Sequence, residues 1–547
     1  LMTGRRAFVE LLADEGVTHV FGNPGTTELA IMDALADCPQ LRFVLGLQES
    51  IVVGMADGYA RASGRLAACN LHCMPGLGHA VGALYNAQFA RSPIIVTAGQ
   101  YELGYGLQEP TLYRPLVPAA EPVVKWAVEV ERAQDLPRVL RRAAKVATTA
   151  PAGPVFISLP GDILDQQAPI ELGRATRVLG QVRPGDDVIA AVADALLRAS
   201  RPVIVAGAEL AERDAFDEAA EFAELLGAPV YLEPVPYNTR FPSAHPANMG
   251  DLTRNQPRVR AVLERHDLLV CLGADLLRMS VAHSVDPLPP GMPVIHLCAS
   301  AWELGKNYPT DHALCADVKE TLRALIARLR DARTPEYRAQ AAERLAACAQ
   351  HNWVAAREAA RAQAMQAADS RPVDPRYLSM TLADALPPDA IVIEEAPTTA
   401  AALATFVDSR DPRGFLGLAS GGLGFAMPGA VGAALARAGQ PVVALVGDGS
   451  ALYTIQSLWT AAHLKLPITW VVVANGGYRI IRDRMQALRG RAHFDGMSIR
   501  DPTVDFVAIA QGFGVSAQRI GAPGELGDAL RAAFRSGAPR LIEVTCA

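Results

Sequence analysis

Asp448 and Asn475 are the residues whose types and spacing first suggest chemistry. Asp448 stands in the letters GDGS directly after an apolar run, and Asn475 follows a second apolar run 27 positions later. The first offers a carboxylate oxygen, the second an amide oxygen, and Gly477 can present its backbone carbonyl. Mg²⁺ prefers oxygen ligands of this kind and completes its shell with phosphate oxygens and water. A helix-capping Asp and a turn Asn would explain either residue alone, but the combination favours a magnesium–diphosphate site.

The elements around these residues must bring them together. The apolar runs 442–446 and 468–473 predict strands that are buried on both faces, and Gly449 and Ser450 open a helical pattern between them. The free N–H groups at such a helix start favour an anion. Because parallel strands bring their carboxyl ends to one edge of a sheet, where ligands bind, the two strand ends predict one common site.

The same alternation of strands and helices runs through the whole chain. Its 547 residues fit about three domains of ~150 residues, and we predict an α/β fold of three doubly wound parallel-sheet domains. The predicted parts are an N-terminal domain 1–181, a central domain 182–333, a connecting helix within 334–374 and a C-terminal domain 375–547. The predicted strands are 18–21, 43–47, 67–71, 94–98, 155–159, 203–206, 230–232, 268–272, 294–297, 391–395, 415–418, 442–446, 468–473 and 541–544.

Composition excludes several classes of protein. The 51 basic and 57 acidic residues give a net charge of −6, and without a basic patch we expect no nucleic-acid partner. No run approaches the ~20 apolar residues of a membrane span, so we expect no membrane partner. The eight cysteines are scattered without a CxxC pair, which argues against a zinc site and for a reducing compartment. We therefore expect a soluble, cytoplasmic protein.

The letters GDGS followed by Asn-Gly resemble the cofactor signature of the thiamine diphosphate enzymes of the decarboxylase and acetohydroxyacid synthase family. The resemblance is greatest to the benzoylformate decarboxylases and extends over nearly the whole chain. It implies thiamine diphosphate and Mg²⁺ as cofactors, with Asp448, Asn475 and Gly477 as metal ligands. It also implies that the N-terminal domain binds the pyrimidine ring and the C-terminal domain the diphosphate.

Glu49 is the residue that the resemblance assigns to cofactor activation. It follows an apolar strand and opens a helix, where a favourable charge at the helix start would otherwise explain it. In the family, this glutamate hydrogen-bonds the aminopyrimidine. Leu423 matches the apolar wedge that bends the cofactor, and the Gly421 carbonyl would accept from its amino group. The other cofactor contacts that we predict are Thr398, Gly449, Ser450, Tyr478 and Ile480.

The substrate side of the site contains both matches and departures. Thr26 in NPGT takes the place of a family Ser in NPGS, so it is a candidate hydroxyl for the substrate carboxylate, and His72 in NLHCMPG is a candidate proton relay. Ser280 stands where the family has a second active-site His. His283 lies three residues later and either substitutes for that His or is a surface residue. Ile480 replaces a small Ala, which narrows the pocket towards short aliphatic acids.

The function implied is decarboxylation of a 2-oxo acid to an aldehyde, with possible carboligation, because a thiazolium cation provides an electron sink that side chains lack. Glu49 of one chain and the metal loop of another are expected to meet, which implies a homodimer or homotetramer with active sites at the subunit interface. An acetolactate synthase-like transferase shares every cofactor residue. An oxidase would need FAD in the central domain, for which we predict no bound nucleotide. A non-catalytic assembly protein would be expected to have lost Glu49, Asp448 or Asn475.

Overall fold

A computed structural model describes residues 1–235, 237–490 and 493–547. The chain forms two compact units. The first comprises Leu1–Val178, Asp369–Ala400 and Leu416–Ala547, and the second comprises Leu179–Ala368 and Ala401–Phe415. The chain contains three six-stranded sheets, each flanked by helices. The prediction of an α/β fold with three doubly wound parallel sheets is therefore confirmed.

The N-terminal sheet lies in the first unit and is parallel throughout, in the order β3-β2-β4-β5-β7-β6. A short antiparallel ribbon joins β1 to β8. The strands are β1 (Met2–Thr3), β2 (His19–Gly22), β3 (Arg42–Leu45), β4 (Ala67–Leu71), β5 (Ile94–Gln100), β6 (Ala127–Glu129), β7 (Val155–Pro160) and β8 (Gln167–Ala168). The α-helices are α1 (Gly4–Asp14), α2 (Leu29–Ala36), α3 (Glu49–Ser63), α4 (Cys73–Phe89), α5 (Leu116–Ala120), α6 (Leu136–Thr148) and α7 (Gly161–Asp165). Short 3₁₀ turns cover Thr26–Glu28, Tyr105–Gln108, Glu121–Val123 and Ala133–Asp135.

The central sheet lies in the second unit and is also parallel, in the order β11-β10-β9-β12-β13-β14. Its strands are β9 (Pro202–Ala206), β10 (Val230–Leu232), β11 (Asn248–Asp251), β12 (Leu268–Leu272), β13 (Val294–Cys298) and β14 (His312–Cys315). The helices of this region are α8 (Asp186–Arg198), α9 (Glu209–Glu212), α10 (Phe216–Leu226), α11 (Gln256–Leu263), α12 (Val318–Ala332), α13 (Pro335–Ala349) and α14 (Trp353–Met365).

The connecting region contains two helices, α13 and α14, where the sequence predicted one. The break falls at residues 350–352, and Asn352 caps α14 because its side chain accepts a hydrogen bond from the Ala355 N–H. An Asn favours such a cap over a helix interior. The interruption is therefore encoded locally.

The C-terminal sheet has the order β16-β15-β17-β18-β20-β19, and its pairs from β15 to β19 are parallel. Its strands are β15 (Ile391–Glu395), β16 (Phe415–Gly417), β17 (Val442–Gly447), β18 (Ile468–Ala474), β19 (Ser516–Ile520) and β20 (Arg540–Thr545). The helices of this region are α15 (Pro375–Ala385), α16 (Ala400–Phe406), α17 (Ala426–Ala436), α18 (Asp448–Ala451), α19 (Ser457–Leu464), α20 (Arg479–Arg489), α21 (Phe506–Gly512) and α22 (Pro523–Arg535).

Each of the two sheets of the first unit has a topological switch point, where ligands bind in open parallel sheets. In the N-terminal sheet it lies between β2 and β4, and in the C-terminal sheet between β15 and β17. Thr26 and His72 follow β2 and β4, and Thr398 and Asp448 follow β15 and β17. No helix in the described part of the chain has both the length and the apolar composition needed to cross a lipid bilayer.

The N- and C-terminal sheets share one apolar core through the crossing of α3 and α17. The backbones approach so closely that a Cβ at Gly58 would lie 2.2 Å from the Gly429 carbonyl oxygen, and a Cβ at Gly432 would lie 2.0 Å from that of Met55. Neither distance leaves room for a methyl group. Glycine at the crossing therefore sets the spacing of the two helices.

Replacing Gly432 by alanine tests this spacing. Because the new methyl group would meet backbone rather than a flexible side chain, we expect Gly432→Ala to destabilise the protein by about 1–3 kcal/mol. The matched control is Gly524→Ala in the first turn of α22, where an added Cβ meets nothing within 4 Å, and where alanine should be neutral or stabilising by up to about 1 kcal/mol. Urea unfolding midpoints measure both, and equal midpoints would contradict the constraint.

Candidate active site

A buried carboxylate lies at the switch point of the N-terminal sheet. Glu28 is fully buried, and its Oε1 accepts from the Gly99 N–H at 2.9 Å and from Thr27 Oγ1 at 2.6 Å. Its Oε2 accepts from the Gly25 N–H at 2.8 Å and lies 2.8 Å from His72 Nδ1. We assign the His72 proton to Nδ1, because that tautomer makes the imidazole a fourth donor to the Glu28 carboxylate.

His72 is thereby oriented in the way that proton-transferring imidazoles are in proteins. Its Nδ1 is held by Glu28, and its side chain is 22% exposed, which leaves Nε2 as the nitrogen for exchange of a proton with a ligand. The next residue, Cys73, has φ +47°, a left-handed conformation rare for non-glycine residues. Thr26 is exposed beside Thr27. These placements fit the predicted roles of Thr26 and His72, which stay predictions.

Sequence analysis missed Glu28, although its signal was present. The letters NPGTTE place an acid three residues after a glycine, and that spacing is typical of a side chain that reaches back to the N-terminus of its own turn. The partner His72 lies 44 residues away. Nothing in the sequence connects the two before the strand order is known.

Glu49 opens α3, as predicted, and is 9% exposed. Gln48 is the N-cap residue of this helix, and its side chain accepts from the Ser50 N–H at 2.6 Å. The Glu49 side chain therefore does not cap the helix. Its Oε2 lies 3.0 Å from Nδ1 of His79, an exposed side chain on α4. The carboxylate is thus contacted by a movable partner rather than fixed by backbone.

Asp448 lies at the end of β17, as predicted, and organises the second loop of the C-terminal switch region. Its Oδ2 accepts from the N–H groups of Gly476 at 2.7 Å and Gly477 at 3.2 Å, and its Oδ1 from that of Gly449 at 2.7 Å. One carboxylate therefore joins the turn after β17 to the turn after β18. The residues predicted as metal ligands come together here.

The Asn475 side chain contains a buried oxygen that accepts no hydrogen bond from the described residues. The residue is 8% exposed, and its Oδ1 is buried without a hydrogen-bond partner. Such an orphaned acceptor is costly, and a cation would satisfy it. The residues thus fit a hard divalent ion bound by Asp448, Asn475 and the carbonyl of Gly477, although that carbonyl also accepts from the Arg479 N–H. Clusters of three His, Cys, Asp or Glu suited to a metal do not occur among the described residues.

A glycine-rich loop before α17, residues 417–425, approaches the same region. Gly421 is exposed with φ +83°, and Leu423 is half-buried. The loop is held from below by Glu395, whose Oε1 accepts from the Gly424 N–H and whose Oε2 accepts from the Ala426 N–H, both at 2.6 Å. Sequence analysis placed Glu395 at a strand end but gave it no role. Its signal was a pair of acids, Glu394 and Glu395, at the end of an apolar run.

The remaining predicted cofactor residues lie on the same sheet edge. Thr398 is half-buried after β15, and Ser450 is buried in α18. The Tyr478 ring covers Gly449, where a Cβ would meet it at 2.7 Å. Ile480 is half-buried in the first turn of α20. Their contacts with a cofactor stay predictions.

The helix predicted after Asp448 differs from the observed structure. It is divided into α18 and α19, because Thr454 leaves the helical path and donates its hydroxyl to the Gly424 carbonyl at 3.0 Å. Ser457 Oγ in turn donates to the Thr454 carbonyl at 2.8 Å. The break thus adds a second support to the glycine-rich loop.

Ser280 and His283 belong to the second unit. Both are exposed, and His283 Nδ1 accepts from the Val285 N–H at 3.0 Å. That contact fixes the ring within its own loop. Whether His283 substitutes for the family's second His stays a prediction, as does a central domain without a bound nucleotide.

Glu395 gives the site a dependence on pH. Burial raises the pKa of its carboxyl from 4.5 to about 7, a shift partly opposed by backbone N–H groups. Between these two values the folded protein binds more protons than the unfolded chain, so stability falls as pH rises. We expect the wild type to lose up to roughly 3 kcal/mol relative to Glu395→Gln between pH 5 and 8. Urea midpoints across this range measure it, and parallel curves would contradict it.

Comparisons with known proteins agree with this geometry. Sequence models of the thiamine pyrophosphate enzymes match three parts of the chain: the N-terminal TPP binding domain at residues 2–111, the central domain at 189–325 and the C-terminal TPP binding domain at 397–544. Benzoylformate decarboxylase of Pseudomonas aeruginosa is 34% identical over 548 residues, covering 100% of this chain and 99% of the relative. Acetolactate synthase of Mycobacterium bovis is 29% identical over 531 residues, covering 94% and 83%.

Solved structures extend the likeness to three dimensions. The thiamine diphosphate-dependent 4-hydroxybenzoylformate decarboxylase of Rhodococcus jostii RHA1 has a TM-score of 0.88 at 32% identity, covering 100% of this chain and 99% of that one. Benzoylformate decarboxylase of Polynucleobacter necessarius has a TM-score of 0.88 at 28% identity with the same coverage. The chain therefore belongs to the family of thiamine pyrophosphate enzymes.

Proposed function

We propose that this protein is a thiamine diphosphate- and Mg²⁺-dependent decarboxylase that converts a 2-oxo acid of the benzoylformate type into CO₂ and an aldehyde. Full-length similarity to benzoylformate decarboxylases supports the reaction class. The observation on which the cofactor assignment rests is the buried, unpartnered Oδ1 of Asn475 beside Asp448. Asn475 Oδ1 accepts no hydrogen bond from the described part of the protein itself, whereas a divalent cation would coordinate it.

Different residues of the chain would bind the metal ion, the cofactor and the substrate. Asp448, Asn475 and the Gly477 carbonyl would hold Mg²⁺ and, through it, the diphosphate, with Thr398 and Ser450 as further contacts. Glu49 would hydrogen-bond the pyrimidine ring. When bound, thiamine diphosphate supplies the electron sink for loss of CO₂. Thr26 would bind the substrate carboxylate, and His72, oriented by Glu28, would deliver the proton to the product carbon.

Assembly and location are part of the proposal. We include a homodimer or homotetramer with active sites between subunits because the single chain leaves large apolar side chains exposed, among them Leu29 at 64% and Leu107 at 93%, which a subunit contact would bury. The eight cysteines, all described, form no disulfide, which supports a cytoplasmic location.

Product analysis tests the reaction. Purified protein with thiamine diphosphate and Mg²⁺ is given benzoylformate or pyruvate, and CO₂, aldehyde and 2-hydroxyketone are quantified by chromatography. We expect CO₂ and benzaldehyde from benzoylformate. The control is Glu49→Gln, which keeps the shape of the side chain and should lower turnover by roughly 10²–10⁴-fold with the cofactor still bound.

Two outcomes would change the assignment. Acetolactate from pyruvate, without benzaldehyde from benzoylformate, would favour the transferase reaction of the M. bovis relative. No CO₂ from either acid, with cofactor bound, would contradict a decarboxylase of the benzoylformate type.

Asn475→Ala tests the metal site with a readout besides activity. Because the variant removes a buried acceptor that has no partner, we expect stability without cofactor to be unchanged or increased. Affinity for Mg²⁺ in the presence of thiamine diphosphate should fall roughly tenfold or more, since a ligand is lost. Thermal midpoints and titration calorimetry measure the two effects.

Asn352→Ala is the matched control, because its Oδ1 is fully used as the cap of α14. This variant should lose about 1 kcal/mol of stability and keep its Mg²⁺ affinity. If Asn475→Ala behaves in the same way, Asn475 is not a ligand.

A further inference from the structure

A second buried polar cluster lies away from the residues assigned above. Asp57 and Arg61 on α3, Asn86 on α4 and Ser92 after α4 are each between 1% and 6% exposed. Asn86 Nδ2 donates to Asp57 Oδ2 at 2.9 Å, Ser92 Oγ donates to Asp57 Oδ1, and Arg61 lies 4.0 Å from the same carboxylate. Burying such charges is expensive. Packing alone therefore does not explain why this cluster is buried.

The cluster makes several hydrogen bonds to the glycine-rich loop. Asn86 Oδ1 accepts from the N–H groups of Ala419 and Ser420, both at 3.1 Å, and from Ser420 Oγ at 3.2 Å. The orientation of the Asn86 amide is fixed, because its oxygen faces the donors of the loop and its nitrogen faces the Asp57 carboxylate. Arg61 Nη2 donates to the Gly417 carbonyl at 3.0 Å. Two helices of the N-terminal domain thus hold a loop of the C-terminal domain.

The glycine-rich loop is fixed at both ends by side chains from outside it. Residues 417–420 are held by Arg61 and Asn86, and Gly424 is held by Glu395 and Thr454. Between these supports, a Cβ at Gly421 would meet nothing within 4 Å. Residues 421–423 lie between the two anchors, and the Gly422 N–H donates to Ser420 Oγ at 3.1 Å, so this segment is joined to the end of the loop that Asn86 holds. A short segment held in this way can place a backbone carbonyl and an apolar side chain to a fraction of an ångström.

We propose that Asn86, held by Asp57, is a positioning residue that sets the placement of Gly421 and Leu423 against the bound cofactor. The proposal rests on the proposed function of these two residues. Asp57 lies on the helix that Glu49 opens, and Asn86 on the helix that follows His72. The same cluster therefore couples the glycine-rich loop to the helices that present Glu49 and His72.

Asn86→Ala and Ser92→Ala separate positioning from stability. Both remove a hydrogen bond to Asp57, but only the first removes contacts with the loop. We expect both to lower the thermal midpoint. Asn86→Ala alone should speed hydrogen exchange in residues 417–423 by about tenfold, weaken thiamine diphosphate binding measured by tryptophan fluorescence, and lower kcat about tenfold with KM for the 2-oxo acid within about threefold.

Equal exchange, cofactor affinity and kcat in the two variants would overturn the proposal and leave the cluster a stability element. If the wild type releases no CO₂, the proposed reaction fails, while exchange and cofactor affinity still decide the role of Asn86. Should Asn86→Ala not fold, Asn86→Asp places two carboxylates face to face, and adding Asp57→Asn restores a donor–acceptor pair. Recovery of cofactor affinity and kcat in the double variant supports positioning, and failure to recover them contradicts it.

Discussion

The close contact of α3 with α17 is the constraint on which the rest of the first unit depends. Glycines at the crossing leave no space for a side chain, so the helices cannot slide or separate without exposing the shared core. Glu49 begins one of these helices, and the glycine-rich loop leads into the other. Helix packing thus fixes both the start of the Glu49 helix and the end of the glycine-rich loop, before any polar contact is considered.

Buried carboxylates near the site serve mainly as backbone acceptors. Glu28, Glu395 and Asp448 each accept from two or more backbone N–H groups of loops at the sheet edges. Carboxylates used in this way order loops that lack secondary structure of their own. Glu49 differs, because its hydrogen-bond partner in the described part of the chain is the exposed His79. Glu49 therefore takes no part in ordering a loop through backbone N–H groups, unlike the other three carboxylates.

The parts of the fold that sequence analysis predicted are those with strong apolar periodicity. The central strands of each sheet, such as β17 and β18, are continuous apolar runs. The strands missed from the three large sheets, β6, β11, β14 and β19, are short or polar edge strands with few buried apolar side chains to mark them. The strand-end site residues followed from topology. The pairing of Glu28 with His72 and that of Asn86 with Ala419 could not be predicted, because the partners lie 44 and 333 residues apart and only the folded chain brings them together.

The orientation of His72 bears on the fate of the substrate. The family resemblance implies that decarboxylases and acetolactate synthases share the predicted cofactor residues, so the two reactions would diverge at the carbon that has lost CO₂. A group that delivers a proton to that carbon ends the reaction as an aldehyde, while its absence leaves the carbon free to attack a second carbonyl. The Glu28 carboxylate fixes His72 Nδ1 and leaves Nε2 for proton delivery. We infer that the Glu28–His72 pair biases this chain towards aldehyde release.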